Sequence, residues 1–388
     1  MTRLEELIKE LCPNGVPQKR LDESCNIFDN KRKPVTKSVR EFGIYPYYGA
    51  NGIQDYVSDY IFDGTYILIG EDGSVITASG HPVVNWVTGK VWVNNHAHIL
   101  GEKEGVLLRY LFHYIQTIDI SSLVHGNIPK LTGGDLRALQ IPVPPLPVQE
   151  EIVRILDSFT KLTAELTAEL TARKKQYEYY RDKLLTPSSS IEWISLGEIA
   201  TVTKLAGFEF TNFVKYSDNG KIIALRGLNV KNGRLDLSDV KYIDGSDFGK
   251  LSRSKLKIGD MLFTYVGTVG QVALVDENDK YYLAPNVALI RLNTANVLPK
   301  FMMYYFQTNT FWDSQIGKLL QSSSMQNIPM EKIRRFRLPL IPLEIQNKIV
   351  QVLDNFDSIC SDLKIGLPAE IEARQKQYEY YRDKIMAF

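Results

Sequence analysis

The chain has 388 residues, 44% of them hydrophobic and 23% charged, with a formal net charge of +1 at pH 7. That profile belongs to a folded soluble protein of two or three domains and excludes a disordered chain; no apolar run approaches the roughly 18 residues a membrane span needs. Near-neutrality withholds the overall basic excess that usually marks nucleic-acid binding, although residues 191–340 hold 19 Lys or Arg against 14 Asp or Glu, while residues 1–146 hold 14 against 16.

Residues 1–7 (MTRLEEL) carry acidic groups early and no apolar core, so no signal peptide is expected. Cys12, Cys25 and Cys360 are odd in number and far apart, which fits a reducing, cytoplasmic setting rather than a disulfide framework. The first half then offers polar loops between short β-rich runs. Lys31, Arg32 and Lys33 form a basic triplet suited to phosphate contact, or simply a solvated loop. Tyr45–Gly52 sets Tyr47, Tyr48 and Asn51 around glycine turns, although rim packing is the commoner use of such tyrosines. The strand Tyr66–Ile69 runs into Glu71 and Asp72, whose carboxylates suit cytosine N4 or merely a turn. A second strand, Val91–Val93, leads to a cluster of donors and acceptors that includes Asn95 and His98. His96 and His98 lack Cys or carboxylate partners at ligand spacing, so no metal site is expected. A helix over Val106–Gln116 follows.

Residues 147–187 read as one long amphipathic helix, with apolar positions at Ile152, Leu156, Phe159, Leu162 and Leu166 and a Thr-Ala-Glu-Leu repeat in its middle, ending at Pro187. The second half repeats the plan. Strands are expected at Met261–Val266 and Tyr281–Leu283 and a helix at Pro299–Asp313. Its loop candidates are Arg226 and Asn229, Tyr265 and Thr268, then Gln321, Ser323 and Gln326, then Lys332, Arg334 and Arg335; Arg suits guanine, and Asn or Gln suits adenine. A second long helix covers Ile345–Met386, with a kink or break expected at Gly366-Leu367-Pro368 and Pro368 starting the second segment.

The chain also repeats itself. KQYEYYRDK stands at 175–183 and again at 376–384, and QxxIVxxLDxF fits both Gln149–Phe159 and Gln346–Phe356. Asn127-Ile128-Pro129 returns as Asn327-Ile328-Pro329, and the stretch Arg20–Glu23 rhymes with Ser195–Glu198. A period near 200 residues is a duplicated domain pair, not a solenoid. The expected fold class is α+β: two globular domains, 1–146 and 188–343, alternate with two long helices, 147–187 and 344–388, which pair antiparallel about a pseudo-two-fold axis. No phosphate-binding GxxxxGK[ST] loop, dinucleotide GxGxxG turn, Asn-Pro-Pro-aromatic run or catalytic triad stands out, so the chain is expected to be non-catalytic.

Two divergent globular domains alternating with near-identical helices, matched most closely over Thr163–Leu185 and Ala369–Ile385, resemble the specificity subunit of type I restriction–modification enzymes. The resemblance covers essentially the whole chain, and its helix motifs are far more specific than its loops. It implies that each target-recognition domain reads one half of a bipartite double-stranded DNA target and that the helices set the spacer. It also implies partner subunits: methylation subunits, docked on the helices, bringing S-adenosylmethionine, and restriction subunits bringing ATP and Mg. No cofactor is expected in this chain. A scaffold or protein-interaction module with no DNA role, which the near-neutral charge would suit, and a fused methyltransferase are the alternative readings.

Overall fold

The computed structural model describes residues 2–186, 191–320 and 327–388. Packing divides the chain into two compact units, Met1–Thr167 with Glu370–Phe388, and Ala168–Ala369. Each unit therefore holds one globular domain, the start of the helix that follows it and the end of the other long helix, as an antiparallel pairing requires. These units cut the spacers in their middles, whereas the four-segment division places its boundaries at the helix ends.

In the first unit six strands form one mixed sheet: β1 (Asn26–Ile27), β2 (Phe42–Gly49), β3 (Gly52–Val57), β4 (Phe62–Gly70), β5 (Val84–Val93) and β6 (Ala97–Gly101), in the order β1-β6-β4-β5-β2-β3. β4 pairs antiparallel with β5 from Phe62↔Val91 to Ile69↔Val84, and β2 joins β5 in parallel at Tyr47↔Trp92. Both faces of β4 are covered. Ile67 and Ile69 enter the core shared with helix Leu108–Ile115 and the start of the spacer, while Leu68 enters a smaller cluster on the other face. The period of two along a strand thus explains an unbroken apolar run here.

The second unit divides its strands between sheets. β7 (Ala200–Lys204), β10 (Met261–Thr264), β11 (Val272–Leu274) and β13 (Val287–Leu292) form one in the order β7-β13-β10-β11. β8 (Ile223–Leu225), β9 (Lys241–Tyr242) and β12 (Tyr281–Leu283) form another in the order β9-β8-β12. Its core is aromatic: Phe306 stacks on Phe311 with centroids 4.3 Å apart, and Phe263 and Phe336 close edge-on around them. The expected helix at Pro299–Asp313 ends sooner, at Phe306, and a π-helical turn, Trp312–Ile316, follows a short helix at Asn309–Phe311.

The repeat is visible atom by atom. Each domain is closed by a two-strand clasp, Gln18–Arg20 with Gln140–Pro142 and Trp193–Ser195 with Arg337–Pro339. Each clasp leads into a one-turn helix capped by a glutamate that accepts from the backbone, Glu23 or Glu198. The first spacer helix is continuous over Leu146–Leu185, 40 residues, or about 60 Å. The second is Leu343–Ser361 and Leu367–Met386 with five non-helical residues, 362–366, between; the expected break is there but lies earlier than expected, ending at Gly366, and the second segment starts at Leu367, one residue before Pro368. A Cβ on Gly366 would lie 2.6 Å from the Ser358 and Asp362 carbonyl oxygens, so only glycine fits this turn. The turn also absorbs a length difference. The copies are 197 positions apart at Asp157 and Asp354 but 201 apart at Tyr177 and Tyr378, so the second spacer carries four extra residues.

Among the described residues no helix is long and apolar enough to cross a membrane. The three cysteines are buried and unpaired with one another.

Candidate nucleic-acid interface

The loops at one end of the first sheet are bound together by charge. Arg32 donates to the backbone carbonyls of Asp29 (2.8 Å) and Ala97 (2.9 Å) and pairs with Glu71. His98 is buried with Nδ1 2.7 Å from an Asp29 oxygen and Nε2 3.0 Å from the Leu131 carbonyl. Lys130 lies 3.3 Å from Glu71, and Arg137 lies 3.9 Å from Asp29. Burial works against ionising Glu71, but Arg32, His98 and Lys130 outweigh it and hold its carboxyl below the usual range; Asp29 is held down against burial by His98, the Ile99 amide and Arg32. Four segments far apart in sequence are thus pinned by one cluster, whose hub, Asp29, carries no motif that would mark it in the sequence.

This network corrects several sequence expectations. His98 is only 1% exposed and cannot reach a base edge as placed. Tyr47 is also 1% exposed, because it faces inward on β2: its hydroxyl accepts the Val35 N–H at 3.0 Å, and Arg40 stacks 4.0 Å above its ring. Arg32 and Glu71 are spent on each other. Asp72 contacts His96, and Tyr48 is half-buried. Lys31, Lys33, Asn51 and Asn95 remain exposed, Asn51 at the tip of the β2–β3 hairpin.

In the second unit Asn229 is fully buried. It accepts the Arg226 N–H at 3.0 Å and donates to the carbonyls of Asp236 and Asp239, which makes it a loop organiser rather than a base reader. Tyr265 is likewise buried, at 8% exposure, and burial pushes its phenol up. Arg226 donates to Asp239 at 2.8 Å and lines a cleft with the exposed Thr268. Lys332, Arg334 and Arg335 are exposed on and just after the short helix Met330–Arg334; Arg334 donates to the Val202 carbonyl at 2.9 Å, and Arg335 pairs with Glu331. Gln321, Ser323 and Gln326 lie outside the described residues. Among the described residues no group of three or more His, Cys, Asp or Glu side chains is placed to hold a metal ion.

The two domains share one way of holding their spacers. Gln149 is fully buried; it accepts the Leu107 N–H at 2.9 Å and donates to the carbonyls of Gly105 (3.0 Å) and Pro144 (2.7 Å). Gln346 does the same with the Leu298 N–H and the carbonyls of Asn296 and Ile341, each at 2.8 Å. About two helical turns further on, His113 bridges Asp157 and the Tyr378 hydroxyl, each at 2.8 Å, while in the second unit Tyr304 donates to Asp354 at 2.6 Å. Burial pushes the His113 imidazole below its ordinary value of 6.5. The repeated nonapeptide has matching faces: Tyr177 and Tyr378 pack inward, Tyr180 and Tyr381 stack on Phe356 and Phe159, and Tyr179 and Tyr380 point outward, 59% and 61% exposed.

A model of the type I restriction modification DNA specificity domain matches the chain twice, over residues 13–173 and 189–373. The chain belongs to this family of specificity subunits. A putative type I restriction enzyme specificity subunit of Haemophilus influenzae is 36% identical across all of this chain and 98% of its own length. The EcoR124I/EcoR124II specificity subunit of Escherichia coli is 32% identical over 73% of this chain and 71% of its own. Two solved structures share the fold at a TM-score of 0.55 and cover 96% of this chain: the specificity subunit of the Mycoplasma genitalium type I system, 13% identical over 96% of its length, and a chain from a study of type I complex assembly, 16% identical over 98%.

Proposed function

We propose that this chain is the non-catalytic, cytoplasmic DNA-reading subunit of a type I restriction–modification complex, in which each globular domain reads one half of a bipartite target. The observation that carries the reading is the contrast between constant and variable parts. The clasp, the buried glutamine and the nonapeptide recur, while the sheets and loops they support differ. A device that presents two different surfaces in one way suits two different half-sites. Exposed Lys31 and Lys33 in one domain, and Lys332, Arg334 and Arg335 in the other, would contact phosphates; Asn51, Asn95 and Thr268 are left to meet base edges, while the Arg226 guanidinium is held by Asp239.

The spacer faces support two copies of one partner. Lys175, Tyr179 and Lys183 recur as Lys376, Tyr380 and Lys384 at one exposed stripe of each helix, with each distal lysine within 6 Å of its tyrosine ring: Lys183 at 5.6 Å and Lys384 at 5.9 Å. Packing inside the chain does not demand identity at exposed positions, so the same external surface must be met twice. Methylation subunits, carrying S-adenosylmethionine, would fill that role, and restriction subunits would add ATP- and Mg-dependent cleavage.

The test is to reconstitute the chain with its methylation subunits, map methylated adenines genome-wide, and exchange residues 191–340 for those of a relative. One half-site should change and the other stay. A gel shift of the complex should also weaken steeply with salt. A target that changes in both halves, or binding indifferent to salt, would overturn the reading.

A further inference from the structure

We infer that the second unit carries a pocket for a single nucleobase, an inference that rests on the DNA-reading assignment and extends it. A cleft of about 760 Å³ opens between the Arg226–Asn232 segment, the Thr264–Gln271 turn and the Pro285–Asn286 corner. Its walls are largely apolar. The Phe210 and Tyr216 rings meet edge to face with centroids 5.6 Å apart, and Leu228, Val230 and Val266 continue the surface. No carboxylate lines it among the described residues.

Charge argues against a phosphate as occupant. The two cations on the wall are already engaged, Arg226 by Asp239 at 2.8 Å and Lys231 by Asp236 at 2.7 Å. The polar groups left over are those that read heterocycle edges: the Thr268 hydroxyl, the amides of Asn232 and Asn286, the amino group of Gln271, whose oxygen accepts the Asn232 N–H at 3.1 Å, and the buried Arg226 Nε–H, which has no partner among the described residues. Asn232 and Asn286 are two of the three non-glycine residues with positive φ among the described residues, at 47° and 69°. Asparagine tolerates that left-handed backbone better than most side chains, and such backbone concentrates where ligands are clamped. Apolar walls with an aromatic pair, ringed by amides and a hydroxyl and with its charge already paired, match a neutral planar base that stacks on one side and is hydrogen-bonded along its edge. A base still stacked in a duplex cannot enter a cleft, so a DNA occupant would be an unstacked one.

The complex reconstituted with methylation subunits provides the test. In duplexes carrying its mapped target, 2-aminopurine replaces each position of the half-site read by the second unit in turn. A several-fold fluorescence rise is expected at one position besides the methylated adenine, and Leu228→Ala should abolish it there while leaving the signal at the methylated adenine. Leu228 is 42% exposed, so this variant should fold, with its thermal melt as the control and Thr268→Val as the second variant. Equilibrium dialysis of the full chain against dAMP, dGMP, dCMP and dTMP forms the other arm. Saturable binding lost in Leu228→Ala, without any duplex signal, identifies a free nucleotide as the source of the base. Silence in both arms, with the duplex bound normally, overturns the pocket and spares the DNA-reading assignment; a complex that binds no duplex at all sinks that assignment instead.

Discussion

Replacing Gln149 by leucine should loosen the first unit while leaving the second intact. The side chain is fully buried and satisfies three backbone groups, the Leu107 N–H and the Gly105 and Pro144 carbonyls. Leucine fills similar space and satisfies none of them. An unsatisfied buried group costs about 1–3 kcal/mol; with some relaxation the three together should cost roughly 3–5 kcal/mol, a large part of a domain's ordinary margin of about 5–15. At about 1.4 kcal/mol per factor of ten, a loss of 3 means roughly a hundredfold faster exchange of the Leu107 amide. Hydrogen exchange read by mass spectrometry separates the peptides around Leu107 from those around Leu298, the matching contact of Gln346. Gln346→Leu should give the mirror result. A loss below about 1 kcal/mol, or equal loosening of both peptides in either variant, would refute the idea that each glutamine locks its own domain to its own helix.

Inserting one more Thr-Ala-Glu-Leu into the first spacer should lengthen that helix by about 6 Å and move the optimal gap between half-sites by about two base pairs, as read by methylation of targets with graded spacers; an unmoved optimum contradicts the ruler. Acid should weaken the first unit through His113. Its pKa is lowered by burial, so below its ordinary 6.5 the unfolded chain binds a proton that the folded one refuses, and stability falls as pH drops. Asp157, held low against burial by His113 and Arg109, adds a loss in the same direction at lower pH. His113→Gln should therefore show a smaller drop in melting temperature between pH 7.5 and 5.5, and an unchanged drop would exclude His113 as the cause. Lys33→Ala should leave the melting temperature alone and reduce the salt slope of DNA binding by about one, whereas Arg32→Ala should lower the melting temperature first, because Arg32 joins the loops of Asp29, Glu71 and Ala97.

Periodicity and self-similarity made the architecture legible. Leucines at every fourth position marked the first spacer to within a residue or two at each end, and Gly366-Leu367-Pro368 marked the break in the second. The repeated QxxIVxxLDxF even contained the two residues that matter most to the junction, its glutamine and its aspartate, although their partners Leu107, Gly105 and His113 lie some 40 positions away in sequence. Loop chemistry was much less legible. Tyr47, His98, Asn229 and Tyr265 have the donors and acceptors of base readers, but whether such a group faces water depends on which loop packs over it. That is a long-range fact: Asp29 meets His98 across 69 positions. The cleft was missed for the same reason, since Tyr216, Leu228 and Asn286 share no local pattern.

The division between legible and illegible residues follows the division of labour. Parts that fix geometry answer to partners that are themselves repeated, within one half or in the other copy, as Tyr180 on Phe356 and Tyr381 on Phe159, so a duplicated chain keeps them twice and a reader of sequence finds them by comparison. The loops of the first unit show the cost of versatility. Arg32, Glu71, Asp29 and His98 are polar residues spent on holding loops together, which leaves few side chains, among them Lys31, Lys33, Asn51 and Asn95, free to face outward. If the loops alone decide the target, a new target needs only those outward groups to change while the largely buried ionic cluster, with His98 at its centre, stays. Substitutions within the cluster would cost folding before they cost discrimination, because a buried charge that loses its partner is destabilising whatever DNA is offered.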